Sequence, residues 1–182
     1  MSLVVICEGS LSLVDTRMDA LAKVAMDNPE HAAMLAQFKL GAPEMVRKCA
    51  EKAIKKIEAQ GIRPQDYVVD ETQFKYYCRN RTKSQAGRGS LDADYCMCSD
   101  AFQHGMGIKI DNKGMVTFNT VRHQGKYSEK QQAEIKRMIK AFTAALITEF
   151  YQAALALVCP EVTAEISEHD GRRIVHLQGV KS

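Results

Sequence analysis

Residues 95–121, YCMCSDAFQHGMGIKIDNKGMVTFNTV, decide the fold. Tyr95–Cys98, Ile108–Ile110 and Val116–Val121 are short runs rich in β-branched and aromatic residues, separated by Gly, Asn and Asp. That is the pattern of consecutive strands rather than helices. Asp111-Asn112-Lys113-Gly114 between the last two reads as a hairpin turn, which makes the pair antiparallel. Tyr67–Val69 and Phe74–Arg79 are strands of the same character upstream.

Helical patterns lie on both sides of this β region. Leu3–Ile6 predicts one further strand, closed by Gly9-Ser10, before the helices begin. Asn28-Pro29-Glu30 supplies an N-cap, a first-turn proline and an early acid, and Gly41-Ala42-Pro43 interrupts the helix that follows. Val46, Cys49, Ala50, Ala53, Ile54 and Ile57 then recur at three-and-four spacing, one apolar face of a helix ending at Gly61. Downstream, Ser128 and Gln131 form the two halves of a capping box. The long helix they start carries Ile135, Ile139, Phe142, Leu146, Phe150, Ala153 and Leu157 on its face and stops at Pro160. In the tail, Val162–Ser167 and Arg173–Gln178 flank Asp170-Gly171, a two-residue hairpin signal that sets Ile166 against Val175, Ala164 against Leu177 and Glu165 against His176.

The expectation is a single α+β domain over residues 1–182: N-terminal helices, an antiparallel-rich sheet from the central strands, and a long C-terminal helix followed by a β-hairpin. A chain of 182 residues supports one well-buried core and is short for two. The most apolar segment, Ala141–Val158, contains Thr143, Thr148, Glu149 and Gln152, so it reads as a buried helix and not a membrane span. The opening MSLVVICEGS has no basic leader, and the expectation is a cytoplasmic protein with all 6 cysteines reduced.

Function has no diagnostic motif here; it has one concentrated region. The net charge of +3 carries little information by itself, yet Lys75, Arg79, Arg81, Lys83 and Arg88 fall between Phe74 and Leu91 with no acid among them. Strand alternation puts Lys75, Tyr77, Arg79 and Arg81 on one face and Phe74, Tyr76 and Cys78 on the other. Cations on such a face neutralise phosphates and a ring among them stacks on a base. Lys75, Tyr77, Arg79, Arg81, Lys83 and Arg88 are therefore the candidate nucleic-acid contacts, and the leading reading is a non-enzymatic binding protein. Cys78, Cys96, Cys98 and His104 overlap this region and are chemically a zinc-ligand set. Their spacing lacks the close pair on a turn that structural zinc sites use, and inward-packed strand cysteines are the commoner arrangement.

Three further constellations complete the reading. Val4-Val5-Ile6-Cys7-Glu8-Gly9 resembles the opening of a Toprim domain, with Asp92-x-Asp94 in the place of that family's later acids, although Arg88-Gly-Ser-Leu replaces the apolar strand that should precede them. The resemblance implies a metal-dependent enzyme. Glu165 and His176 across the tail hairpin read as a surface ion pair, and Cys49, on an apolar helix face, reads as core. His123, beside Arg122, carries no assignment. Finally, residues 128–158 hold Met138, Ala141, Ala144, Ala145, Tyr151 and Ala154 beside the main apolar face, which points to a homo-oligomer packed through this helix as the alternative to nucleic acid.

Overall fold

The computed structural model describes residues 4–13, 29–40, 42–70, 75–77, 93–122, 126–156, 161–169 and 172–180. Within them, β1 (Val4–Ser12), β2 (Ile62–Gln65), β5 (Tyr95–Ser99), β6 (Phe102–Ile110) and β7 (Met115–Arg122) form a five-stranded sheet in the order β1-β7-β6-β5-β2. Every neighbouring pair is antiparallel. β3 (Tyr67–Val69) with β4 (Lys75–Tyr77), and β8 (Glu161–His169) with β9 (Arg172–Val180), make two separate two-stranded ribbons. The helices are α1 (Pro29–Leu40), α2 (Ala42–Ile57) and α3 (Glu129–Leu155).

The β6–β7 hairpin forms where the sequence asks for it. Asp111 Oδ1 accepts from the backbone N–H groups of Lys113 (2.8 Å) and Met115 (2.9 Å), and Gly114 takes the left-handed conformation (φ 79°) the turn needs. Two strands run longer than their local composition suggests. β6 begins at Phe102, through Gln103, His104 and Gly105, because a bulge absorbs the mismatch: Met97 pairs Met106 and Ser99 pairs Phe102, leaving residues 103–105 against Cys98 alone. β1 passes through Gly9-Ser10 to Ser12 because the ladder shifts register between Cys7 and Gly9 instead of ending there. β2 was not expected from the sequence. Its four residues, Ile62–Gln65, contain Pro64, which a strand tolerates only at an edge, and β2 is the sheet's edge.

One face of the sheet is buried under α2 and α3. Leu13, Ile62, Met97, Phe102, Met106, Ile108, Ile110, Val116 and Phe118 meet Val46, Ala50, Ala53 and Ile57 of α2 and Ile135, Met138, Phe142, Leu146 and Phe150 of α3 in one cluster. Phe118 and Phe142 pack edge-to-face at 5.7 Å. The α2 face matches its periodicity residue for residue. The α3 face is turned towards α2: Met138, Ala141 and Ala154 are buried while Ile139 and Ala153 are only partly so. That turn also buries Glu149, which forms an ion pair with Lys56 of α2.

Polar contacts hold the layers in register. Arg47 of α2 donates to the carbonyl of Ile110 (3.0 Å), and Arg137 of α3 donates to that of Gln60 (3.2 Å), just beyond α2. The capping box is complete, Gln131 N–H to Ser128 Oγ at 3.3 Å and Ser128 N–H to Gln131 Oε1 at 3.0 Å. Ser99 donates to Glu134 at 2.6 Å and accepts from the Phe102 N–H at 3.1 Å, joining the β5–β6 turn to α3. The β8–β9 register is the expected one: Ile166↔Val175, Ala164↔Leu177 and Glu165↔His176. No helix among the described residues is long and apolar enough to cross a membrane.

The opposite face of the sheet is covered only in part. Val68 of β3 packs there with Ala93, Cys96 and Val121. The approach is close at Gly105, which has φ 83°; a Cβ there would overlap the Gln65 side-chain amide and press on the Met97 carbonyl at 3.3 Å. Gly105→Ala should therefore combine left-handed strain with a clash and cost about 2–3 kcal/mol in urea unfolding; a loss within error would show that the crossing relaxes freely.

Glu134 makes a second prediction. Hydrogen bonds from Arg137 (2.9 and 2.7 Å) hold its carboxyl below the ordinary range, with Ser99 assisting against burial. A carboxylate with a depressed folded-state pKa stabilises the fold above its unfolded pKa of about 4.3 and loses that contribution as pH falls through the folded value. Wild type should thus be more stable than Glu134→Gln at pH 7, and the difference should close in urea titrations as the solution is acidified below the carboxylate range.

Candidate nucleic-acid interface

Of the six candidate contacts, Lys75 and Tyr77 lie in β4, whereas Arg79, Arg81, Lys83 and Arg88 fall outside the described residues. The register of the β3–β4 ribbon places the two that are described. Tyr77 stands across from Tyr67, Tyr76 across from Val68, and Lys75 across from Val69. Val68 is fully buried against the sheet, while Tyr67 and Val69 on either side of it are half-exposed. The rows holding Lys75 and Tyr77 are therefore those of Tyr67 and Val69, and Tyr76 shares the row that anchors the ribbon.

The ribbon is fixed at its start by Gln65. Its side-chain amide donates to the Tyr67 carbonyl and also to that of His104 at 3.3 Å, bridging β3 to β6. Tyr67 is a residue that composition did not single out; its place opposite Tyr77 follows only from pairing two runs that the sequence shows as separate.

On the same face of the sheet, β1 and β7 lie beside the ribbon. Cys7 pairs with Asn119 and Ser10 with Thr117, while Thr117 pairs with Lys109 in β6. Cys7 and Ser10 are exposed, and Val5 and Met115 are the large apolar residues most accessible on this sheet, at 57% and 40%. This surface therefore mixes polar positions with the exposed apolar side chains of Val5 and Met115.

The cysteine set divides three ways. Cys96 is disulfide-bonded, with its partner outside the described residues, so the expectation of all-reduced cysteines fails at this position. A sulfur in a disulfide is not a zinc thiolate. Cys98 is a buried free thiol pushed up by burial and pulled back by the Arg63 guanidinium, which is bound to Asp100 at 2.6 Å. His104 lies across the bulge from Cys98 with its ring stacked on Phe102 at 5.8 Å and its Nδ1 enclosed without a hydrogen-bond partner among the described residues. Cys78 falls outside the described residues. Among the described residues no group of three metal-type ligands converges.

The catalytic alternatives find little support in the geometry. Glu8 lies in β1, its carboxylate accepting from Thr120 at 2.6 Å, and Asp94 precedes β5, where it accepts from the Ile110 N–H at 2.6 Å. β7 and β6 separate those strands, a span of about 14 Å at the usual strand spacing. Asp92 is outside the described residues. Cys49 is buried, its thiol pushed up to about 11 by desolvation and then by Glu149, which suits packing and not nucleophilic attack. Comparison with known proteins returned no matching family model, no similar curated protein and no similar solved structure.

Zinc removal is a direct check on the cysteine set. EDTA should leave the thermal unfolding of the purified chain unchanged, and elemental analysis should find no stoichiometric zinc; one zinc per chain, lost in Cys98→Ser, would reinstate a metal site.

Proposed function

We propose that this protein binds nucleic acid non-enzymatically through the β3–β4 ribbon and the basic segment that continues from it, residues 75–88. The observation that supports this best is the ribbon's register. It sets Tyr67 across from Tyr77, with Lys75 one row further along, on the side of β3 opposite the buried Val68. Paired rings next to a cation provide base stacking beside phosphate neutralisation, the combination used where single strands are bound with little sequence preference. Arg79, Arg81, Lys83 and Arg88 extend the positive charge along the chain, and the absence of acids from Phe74 to Leu91 leaves that charge uncancelled in sequence.

The binding energy divides by residue class. Lysines and arginines release counterions and set the salt dependence, while the tyrosines contribute a term that salt leaves alone. Fluorescence anisotropy with mixed oligonucleotide pools, single- and double-stranded, tests both. Arg79→Glu with Arg81→Glu should weaken binding at least tenfold and flatten the dependence on salt. Tyr77→Ala should weaken it by about 1–3 kcal/mol at unchanged salt slope. An absence of salt-dependent binding to every pool would refute the proposal.

A further inference from the structure

We infer that the free edge of β1 is a dimerisation surface and that its partner is a second copy of this chain, paired antiparallel across a two-fold axis. The five-stranded sheet ends in two edges of opposite character. At one, β2 is four residues long, with exposed Arg63 and Pro64. A short strand bearing a charge and a residue without an N–H discourages pairing with another chain. At the other, β1 spans nine residues, VVICEGSLS, with no proline and no basic residue. Its backbone groups on the outer side have no strand beside them among the described residues.

The only charge in β1 is Glu8, and it is turned inward. Its carboxylate accepts from the hydroxyl of Thr120, a residue with no solvent exposure, at 2.6 Å. The edge therefore presents no charge that repels an identical strand, which is the condition a two-fold contact must meet, since each group there faces its own image. An antiparallel edge is also self-complementary in its donors and acceptors. Val5, 57% exposed, and Cys7, also exposed, alternate along the half of β1 that precedes the bulge. Pairing there covers both.

A two-fold axis normal to the sheet keeps the same face upward in both copies. The surfaces over β1 and β7 then join, and both β3–β4 ribbons stand on one side of a continuous ten-stranded sheet. This geometry is distinct from packing through α3, where Met138, Ala141 and Ala154 are already consumed by the chain's own core.

Light scattering on the full chain should report twice the mass of one chain, and Val5→Lys should weaken the dimer at least tenfold while its thermal midpoint confirms folding. A short bis-maleimide should cross-link the native chain to a dimer, and Cys7→Ser should abolish that product; this second readout stands even if Val5→Lys folds poorly. A monomer at all accessible concentrations overturns the inference, as does a cross-linked product that survives Cys7→Ser. Neither result bears on oligonucleotide binding by the ribbon, which is read separately.

Discussion

The close passage of β3 over β6 is the constraint on which the rest of the structure depends. With α2 and α3 packed on one side of the sheet, the apolar positions on its other face must be covered by something else. Val121 and Cys96 are those positions, and Val68 is what covers them, with Ala93 beside. The strand carrying Val68 reaches them only because Gly105 leaves room for the Gln65 amide, which in turn ties the carbonyls of Tyr67 and His104. One glycine in a left-handed conformation and one glutamine thus fix the height and direction of the ribbon. The bulge opposite Cys98 belongs to the same device, since it is the extra length of β6 that turns Gly105 towards Gln65.

Much of this architecture is legible in the chain. The apolar spacing of α2, the Ser128–Gln131 capping box, the Asp111–Gly114 turn and the β8–β9 register all depend on neighbours within a few residues, and all are present. What local pattern does not carry is pairing between distant segments. β2 reads as a loop because Pro64 interrupts it, and only the sheet edge makes that proline tolerable. The α3 face reads as symmetric about Phe142 and Leu146, yet contact with α2 draws in Met138, Ala141 and Glu149. Propensity describes which residues are apolar; the neighbour decides which of them are covered.

The candidate site is legible in a narrower sense. Lys75 and Tyr77 alternate with Tyr76 in the sequence, and the register preserves that alternation relative to buried Val68. Tyr67 reads in the sequence as the start of a strand and not as a candidate contact, because its relevance is a cross-strand relation to Tyr77, ten residues downstream. The cysteines went the other way. Their residue types suggest a shared metal, but strand geometry sends Cys96 into a disulfide and the β3 cluster, Cys98 towards Arg63, and His104 onto Phe102. Ligand identity alone is weak evidence when strands, and not a turn, set the spacing.

The sheet's polarity finally relates these features. α2 and α3 bury most of one face, and Val68 of the ribbon covers Cys96 and Val121 on the other. The part of that face over β1 and β7 carries Cys7, Ser10, Thr117 and Asn119 together with the more exposed Val5 and Met115. On the proposed function, a bound strand would lie over this surface beside the ribbon. On that reading, the concentration of cations between residues 75 and 88 of the sequence, in a chain of net charge only +3, would direct a polyanion to the ribbon rather than to the molecule as a whole.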